Sequence, residues 1–178
     1  YNKPKLNINY NDAIAETTKQ LGKAANYRMV ADVKVGVFLS GGYDSASLTA
    51  LLQKNNNQQI NTFTIGVPHF GLNEAPFAKK IAQHLQTNHT EYDCTENEAL
   101  ALIESLPYYY DEPFADSSAI PTLLVSQLAK KSVTVALSAD GGDELFAGYN
   151  RYSFVNNQGK KLKKIPAFIK KGAVASMN

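Results

Sequence analysis

Val35-Gly-Val-Phe-Leu-Ser-Gly-Gly-Tyr-Asp-Ser45 is the stretch on which the fold turns. Its first five residues, Val35 to Leu39, are short, apolar and β-branched, as a strand buried on both faces requires. A glycine pair follows at once, and a helical pattern resumes from Ser45 to Leu52. Strand, glycine turn and helix start in succession make an anion site. Adjacent glycines permit close approach, so that backbone N–H groups converge where the helix begins. Ser40 and Ser45 add hydroxyl donors. Asp44 is a carboxylate among donors suited to anions, and the economical explanation is that it holds a magnesium ion bridging phosphates. A capped Gly-Gly turn is the ordinary alternative. The five defined positions of Ser-Gly-Gly-x-Asp-Ser behind a buried strand favour phosphate. No Gly-x4-Gly-Lys-Ser/Thr loop and no Gly-x-Gly-x-x-Gly fingerprint is present.

Outward from this stretch, strands and helices alternate. A modest helix is expected from Tyr10 to about Val30, with Asn11 or Asp12 as its N-cap. Asn55 to Gln59 is a polar loop, and Ile60 to Gly66 a second strand. Pro68 and Gly71 mark a loop before a helix over Glu74 to Leu85, and His89 to Asp93 is a third strand. Thr95 with Glu98 is a capping-box pattern opening a helix toward Leu106, where Pro107 marks the end. A helix over Ile120 to Lys131 leads to a strand over Val133 to Leu137. This alternation predicts an α/β fold, a parallel sheet with right-handed crossovers and helices on both faces. From about Phe154 only Ile165, Phe168 and Ile169 hint at amphipathicity, and this stretch reads as a boundary.

The 178 residues are 44% apolar and 19% charged, a globular composition suited to one domain. No run approaches the roughly 18 apolar residues of a bilayer span, and Tyr1 to Lys5 lack a signal peptide's apolar stretch. No membrane association is expected. The lone Cys94 excludes an internal disulfide and suits a reducing, cytoplasmic setting. Net charge is +2, but all 16 acids lie at or before Glu144 and six lysines fall between Lys160 and Lys171. Residues 1–152 therefore carry twelve basic and sixteen acidic groups, net −4, which argues against a nucleic-acid surface.

In a parallel sheet ligands bind beyond the carboxyl ends of the strands, so the loops that follow them carry the chemistry. Ser138-Ala-Asp-Gly-Gly-Asp-Glu144 holds three carboxylates within five residues, which repel unless a cation or ammonium offsets them. A solvated acidic loop is the alternative. Set beside the first loop, Asp143 and Asp44 could share magnesium. Asp111-Glu-Pro-Phe-Ala-Asp-Ser-Ser118, after Tyr108 to Tyr110, is a substrate-side candidate or else a surface turn with tyrosines packed on the core. His69, His84 and His89 show no metal spacing, and Cys94 reads as a small buried residue rather than a nucleophile.

Ser40 to Ser45 resembles the pyrophosphate loop of the ATP pyrophosphatases. Taken with Thr62-Phe-Thr-Ile-Gly66, Asp111 to Asp116, and Ser138 through Leu145-Phe-Ala-Gly-Tyr149, the chain resembles the synthetase domain of glutamine-hydrolysing asparagine synthetases over roughly residues 30–152. The resemblance implies an adenine nucleotide alpha hydrolase-like fold, with ATP and magnesium as cofactors. ATP would adenylate the aspartate side-chain carboxylate, pyrophosphate would leave, and ammonia would attack the acyl-adenylate to give asparagine and AMP. Ser40, Gly41, Gly42, Asp44 and Ser45 would then hold pyrophosphate, and Asp44 and Asp143 magnesium. Backbone at Phe38 and Ile65 would read adenine, with Ser138, Ala139 and Gly141 near the nucleotide. Asp140 matches an acidic residue implicated when ammonia attacks, Glu74 an acid near the phosphates, and Tyr149 closes the motif at the site. Tyr43 stands where Leu is commoner and Ala139 where Gly is. Residue 1 is Tyr and Cys94 is internal, so no glutaminase domain is expected here. Ammonia would come from solution or from a glutaminase domain of the parent protein, and the end at Asn178 reads as a truncation. The other expectations kept open are an amidotransferase or cyclase acting on another carboxylate, and a silent nucleotide-binding module.

Overall fold

The computed structural model describes residues 6–68, 73–113 and 116–163. The chain divides into two compact units, Tyr1–Ala139 and Asp140–Asn178. The first is built on four parallel strands, β1 (Val35–Phe38), β2 (Asn61–Gly66), β3 (Asn88–Asp93) and β4 (Val135–Leu137), in the order β3-β2-β1-β4. Its helices are α1 (Tyr10–Arg28), α2 (Tyr43–Lys54), α3 (Ala75–Leu85), α4 (Glu96–Ile103), the single turn α5 (Leu106–Tyr109) and α6 (Ala119–Lys130). The second unit holds α7 (Gly142–Phe146) and α8 (Asn150–Lys163).

Period-2 alternation sorts the strand side chains between two helical layers. The register pairs Val37 with both Thr62 and Leu137, so these three share a face. On it Val37, Leu52 and Ile60 pack with Ala25, Met29 and Leu48 beneath α1 and α2, while Leu39 packs on Ala78, Ile81 and Ala82 of α3. On the opposite face Phe38 and Phe63 meet Val125, Leu128 and Ala129 of α6. Gly36 is required there, since a Cβ would stand 2.6 Å from the Phe63 ring.

Several boundaries differ from the sequence reading. Asn9, not Asn11 or Asp12, caps α1, because its Oδ1 accepts from the Asp12 N–H at 2.9 Å and leaves Asp12 in the first turn. β1 ends at Phe38, although the Leu39 N–H still donates to the Phe63 carbonyl at 2.9 Å. Val133 precedes β4, where α6 buries it. Pro107 opens α5 rather than ending a helix, since a first-turn residue needs no N–H donor. Tyr108 and Tyr109 do not pack on the core: they are 87% and 50% exposed and stack edge-on at 5.2 Å. The stretch from about Phe154, expected only as a boundary, begins inside a helix, α8 (Asn150–Lys163). Gly71, Ile165, Phe168 and Ile169 lie outside the described residues.

Candidate functional site

Because β2 and β3 follow β1 on one side and β4 returns on the other, the strand order reverses beside β1. Ligands of parallel sheets bind at such a crevice. Two loops leave it. Val37 and Leu137 are the last pair between β1 and β4, so Phe38 and Ser138 are the next positions on each strand. Phe38 is half-buried against α6, Ile65 is half-buried in β2, Ser138 is exposed and Ala139 half-buried.

The loop after β1 is held by its own serines. Ser45, 7% exposed, accepts the Ser40 N–H at 3.1 Å, and its Oγ lies 2.8 Å from Ser40 Oγ. Ser40 Oγ also accepts the Gly42 N–H at 3.1 Å. Gly42 is the N-cap of α2 with no side-chain cap, leaving the first-turn N–H groups of Tyr43, Asp44 and Ser45 without intrahelical acceptors. Such N–H groups and the helix dipole favour an anion. Gly41 is needed for close approach: a Cβ there would sit 2.9 Å from Phe77 Cβ and 3.2 Å from the Glu74 carbonyl oxygen. Glu74, the N-cap of α3, is thereby brought against the glycine loop with its side chain exposed. Asp44 stands exposed in the first turn of α2. Tyr43 is 93% exposed, so its departure from Leu touches no core packing.

Three supports escaped the sequence reading. Thr64, 4% exposed, donates its hydroxyl to the Leu39 carbonyl immediately before the loop. Thr49 donates to the Ser45 carbonyl at 2.7 Å within α2. Asn73 Oδ1 accepts from the Val67 and Ala75 N–H groups, both at 3.2 Å, tying the end of β2 to the start of α3. Thr64 lay within a quoted motif, but neither its burial nor its partner was read there.

In the second unit Gly141 takes φ +96°, a left-handed conformation that favours glycine, and caps α7. Asp143 is half-buried in the first turn of α7 and Asp140 is exposed. The Tyr149 hydroxyl donates to Glu144 Oε1 at 2.5 Å. That bond pushes the Tyr149 phenol up to about 12 and holds the Glu144 carboxyl below its ordinary value.

In the third loop Asp111 and Glu112 are exposed, while Asp116 accepts the Ser118 N–H at 2.8 Å, which lowers its pKa. Phe114 and Ala115, like His69, lie outside the described residues. His84 is exposed, and His89 is half-buried with Nδ1 3.0 Å from Thr62 Oγ1. Cys94 is buried, which pushes its thiol pKa up and suits a packing role. No helix among the described residues is long and apolar enough to cross a membrane.

Residues 16–177 match the family model described as asparagine synthase. An asparagine synthetase homologue of Methanocaldococcus jannaschii is 41% identical over 150 residues, covering 84% of this chain and 28% of the relative. A glutamine-hydrolysing asparagine synthetase of Bacillus subtilis is 35% identical over 158 residues, covering 89% of this chain and 25% of the relative. This chain thus spans about a quarter of the length of these relatives. Among solved structures, an NH3-dependent NAD synthetase from Campylobacter jejuni superposes with a TM-score of 0.51 at 14% identity, over 76% of this chain and 60% of that one. That likeness concerns the parallel sheet with flanking helices. The family match spans both strand-end loops and nearly the whole chain, and the chain belongs to the asparagine synthase family.

Proposed function

We propose that this chain is the ATP-handling part of an amide-forming ligase. Its reaction would adenylate the side-chain carboxylate of aspartate with release of pyrophosphate, after which ammonia displaces AMP to leave asparagine. The observation that carries this reading is the uncapped first turn of α2 behind a glycine loop too tight for a side chain at Gly41. It offers backbone N–H groups to a pyrophosphate oxygen, where fixed dipoles stabilise developing charge without reorganising.

Magnesium suits a carboxylate such as Asp44, exposed in the first turn of α2 beside N–H groups that favour phosphate. Among the described residues no group of three or more His, Cys, Asp or Glu is arranged to hold a metal alone. An ion bound mainly through phosphate and water needs only one or two carboxylates, the roles we give to Asp44 and Asp143. Bound there, it would neutralise the charge of the departing pyrophosphate. Phe38 and Ile65 backbone would read the adenine edge, with Ser138, Ala139 and Gly141 lining the nucleotide. Asp140 would handle the proton as ammonia attacks, and Glu74 would lie near the phosphates. Ammonia would derive from glutamine in a glutaminase domain of the parent protein, in the cytoplasm.

Calorimetric titration of the full-length protein with ATP, with and without magnesium, tests the reading. Asp44→Asn should weaken the magnesium-dependent part by at least about 10-fold, as loss of a metal-site carboxylate does. Circular dichroism should be unchanged, since Asp44 supports no core. Unaltered affinity would remove Asp44 from the metal site, and an absence of ATP binding by the parent protein would remove the function.

A further inference from the structure

α7 has only five residues, too few to hold a helix by its own hydrogen bonds, and both flanking residues are left-handed. Gly141 accepts this conformation readily, but Ala147, at φ +57°, has a Cβ that opposes it. A non-glycine residue stays there only where its surroundings over-determine the turn. The surroundings are visible. The Gly148 N–H donates to the Asp143 carbonyl at 3.0 Å, and the Tyr149 hydroxyl reaches back to Glu144 at 2.5 Å. The Arg151 guanidinium lies 4.6 Å from the centre of the Tyr149 ring, and Tyr152 meets that ring edge-on at 5.6 Å. A cation over one face and a ring at its edge both restrain the phenol.

Asp143 is built into this turn. A Cβ at Gly148 would land on the Asp143 carboxylate, so the carboxylate rests against the bare Cα of Gly148. Residues 147 to 149 therefore bear on Asp143 twice, through its carbonyl and through the space its carboxylate occupies. We propose that Gly148 and the Tyr149–Glu144 hydrogen bond form a positioning clasp that aims the Asp143 carboxylate, with Glu144 engaged in the clasp and not in the metal. This rests on the proposed role of Asp143. It makes Tyr149 and Glu144 positioning residues and not groups that touch substrate.

The alternative is that Glu144 ligates the metal alongside Asp143. The full-length protein separates the two through the magnesium concentration giving half-maximal ATP binding. Tyr149→Phe keeps the ring and removes the hydroxyl, and should raise that concentration about 5-fold, the weight of one modest hydrogen bond. Glu144→Gln keeps an acceptor oxygen for Tyr149 and should stay within about twofold, whereas a lost ligand would shift it about 10-fold or more. Gly148→Ala should act at least as strongly as Tyr149→Phe. A second measurement needs no nucleotide: hydrogen exchange at the Gly148 amide should accelerate in Tyr149→Phe and stay near wild type in Glu144→Gln, which keeps the acceptor.

Glu144→Gln as damaging as Asp143→Asn would overturn the proposal, making Glu144 a ligand. So would unchanged Gly148 exchange in Tyr149→Phe. If the parent protein bound no magnesium and ATP, the functional reading would fail while the exchange experiment still decided whether the clasp exists.

Discussion

Thr64 shows what one hydroxyl does at the junction of strand and loop. Buried at 4% exposure in β2, it donates to the carbonyl of Leu39, the last residue before Ser40. The Leu39 N–H already pairs with Phe63, so both polar groups of that residue are bound to β2. A buried carbonyl that loses its partner costs about 1–3 kcal/mol. Thr64→Val, of equal shape, should therefore lower the urea midpoint by about that amount of stability, and Thr64→Ser should recover most of it. An unchanged midpoint in the Val variant would show that the bond contributes nothing. At this scale the succession of strand, glycine turn and helix start around Ser40 to Ser45 was legible in advance, because a glycine pair after a short apolar β-branched run punctuates the chain. Thr64 was not, since the partner of a buried hydroxyl depends on the register of two strands 25 residues apart in the chain.

Elements meet at the glycine loop, where α3 packs its first turn on Gly41. The predicted clash differs between the two glycines. A Cβ at Gly41 would press on Phe77 Cβ at 2.9 Å and on the Glu74 backbone, which can yield only if α3 moves. At Gly42 it would meet Ser40 Oγ at 3.2 Å, a side-chain atom able to rotate. Overpacking of the first kind typically costs about 1–3 kcal/mol. Gly41→Ala should thus lower thermal stability and ATP affinity together, with Gly42→Ala markedly milder in stability. Equal effects would mean that α3 does not constrain the loop. Element starts were readable where a cap is chemically explicit: Thr95 and Glu98 form the full capping box, with Glu98 accepting the Thr95 N–H at 2.8 Å. α8 was not readable. Its residues are mostly exposed polar and basic groups without an apolar stripe, and Phe154 and Val155, 63% and 65% exposed, give no period to follow.

For the whole molecule, alternation of strands and helices announced a parallel sheet, but not the order β3-β2-β1-β4 that sets β4 beside β1. Strand order depends on crossovers that local pattern does not encode. The same packing gives the stability a pH dependence. Thr62 lies between Thr87 Oγ1 at 2.9 Å and His89 Nδ1 at 3.0 Å, while His89 Nε2 is enclosed without a hydrogen-bond partner. Burial lowers the His89 pKa; the Glu91 carboxylate opposes this and the Lys79 ammonium, 3.5 Å from Glu91, reinforces it. The unfolded chain, titrating near 6.5, then binds more protons than the folded chain below that pH. Stability is complete above the unfolded value and declines as pH falls from 6.5 toward the lowered folded value. The exposed carboxylates with lowered pKa values, Glu98 and Asp116 among them, act only in more acidic solution, because their ordinary values are 4.5 and 3.8. Urea midpoints measured from pH 8 down to pH 5 should fall, and His89→Asn, whose amide can replace Nδ1 toward Thr62 but does not titrate, should flatten the profile. A variant profile as steep as the wild type would place the proton uptake elsewhere and leave His89 a packing residue alone.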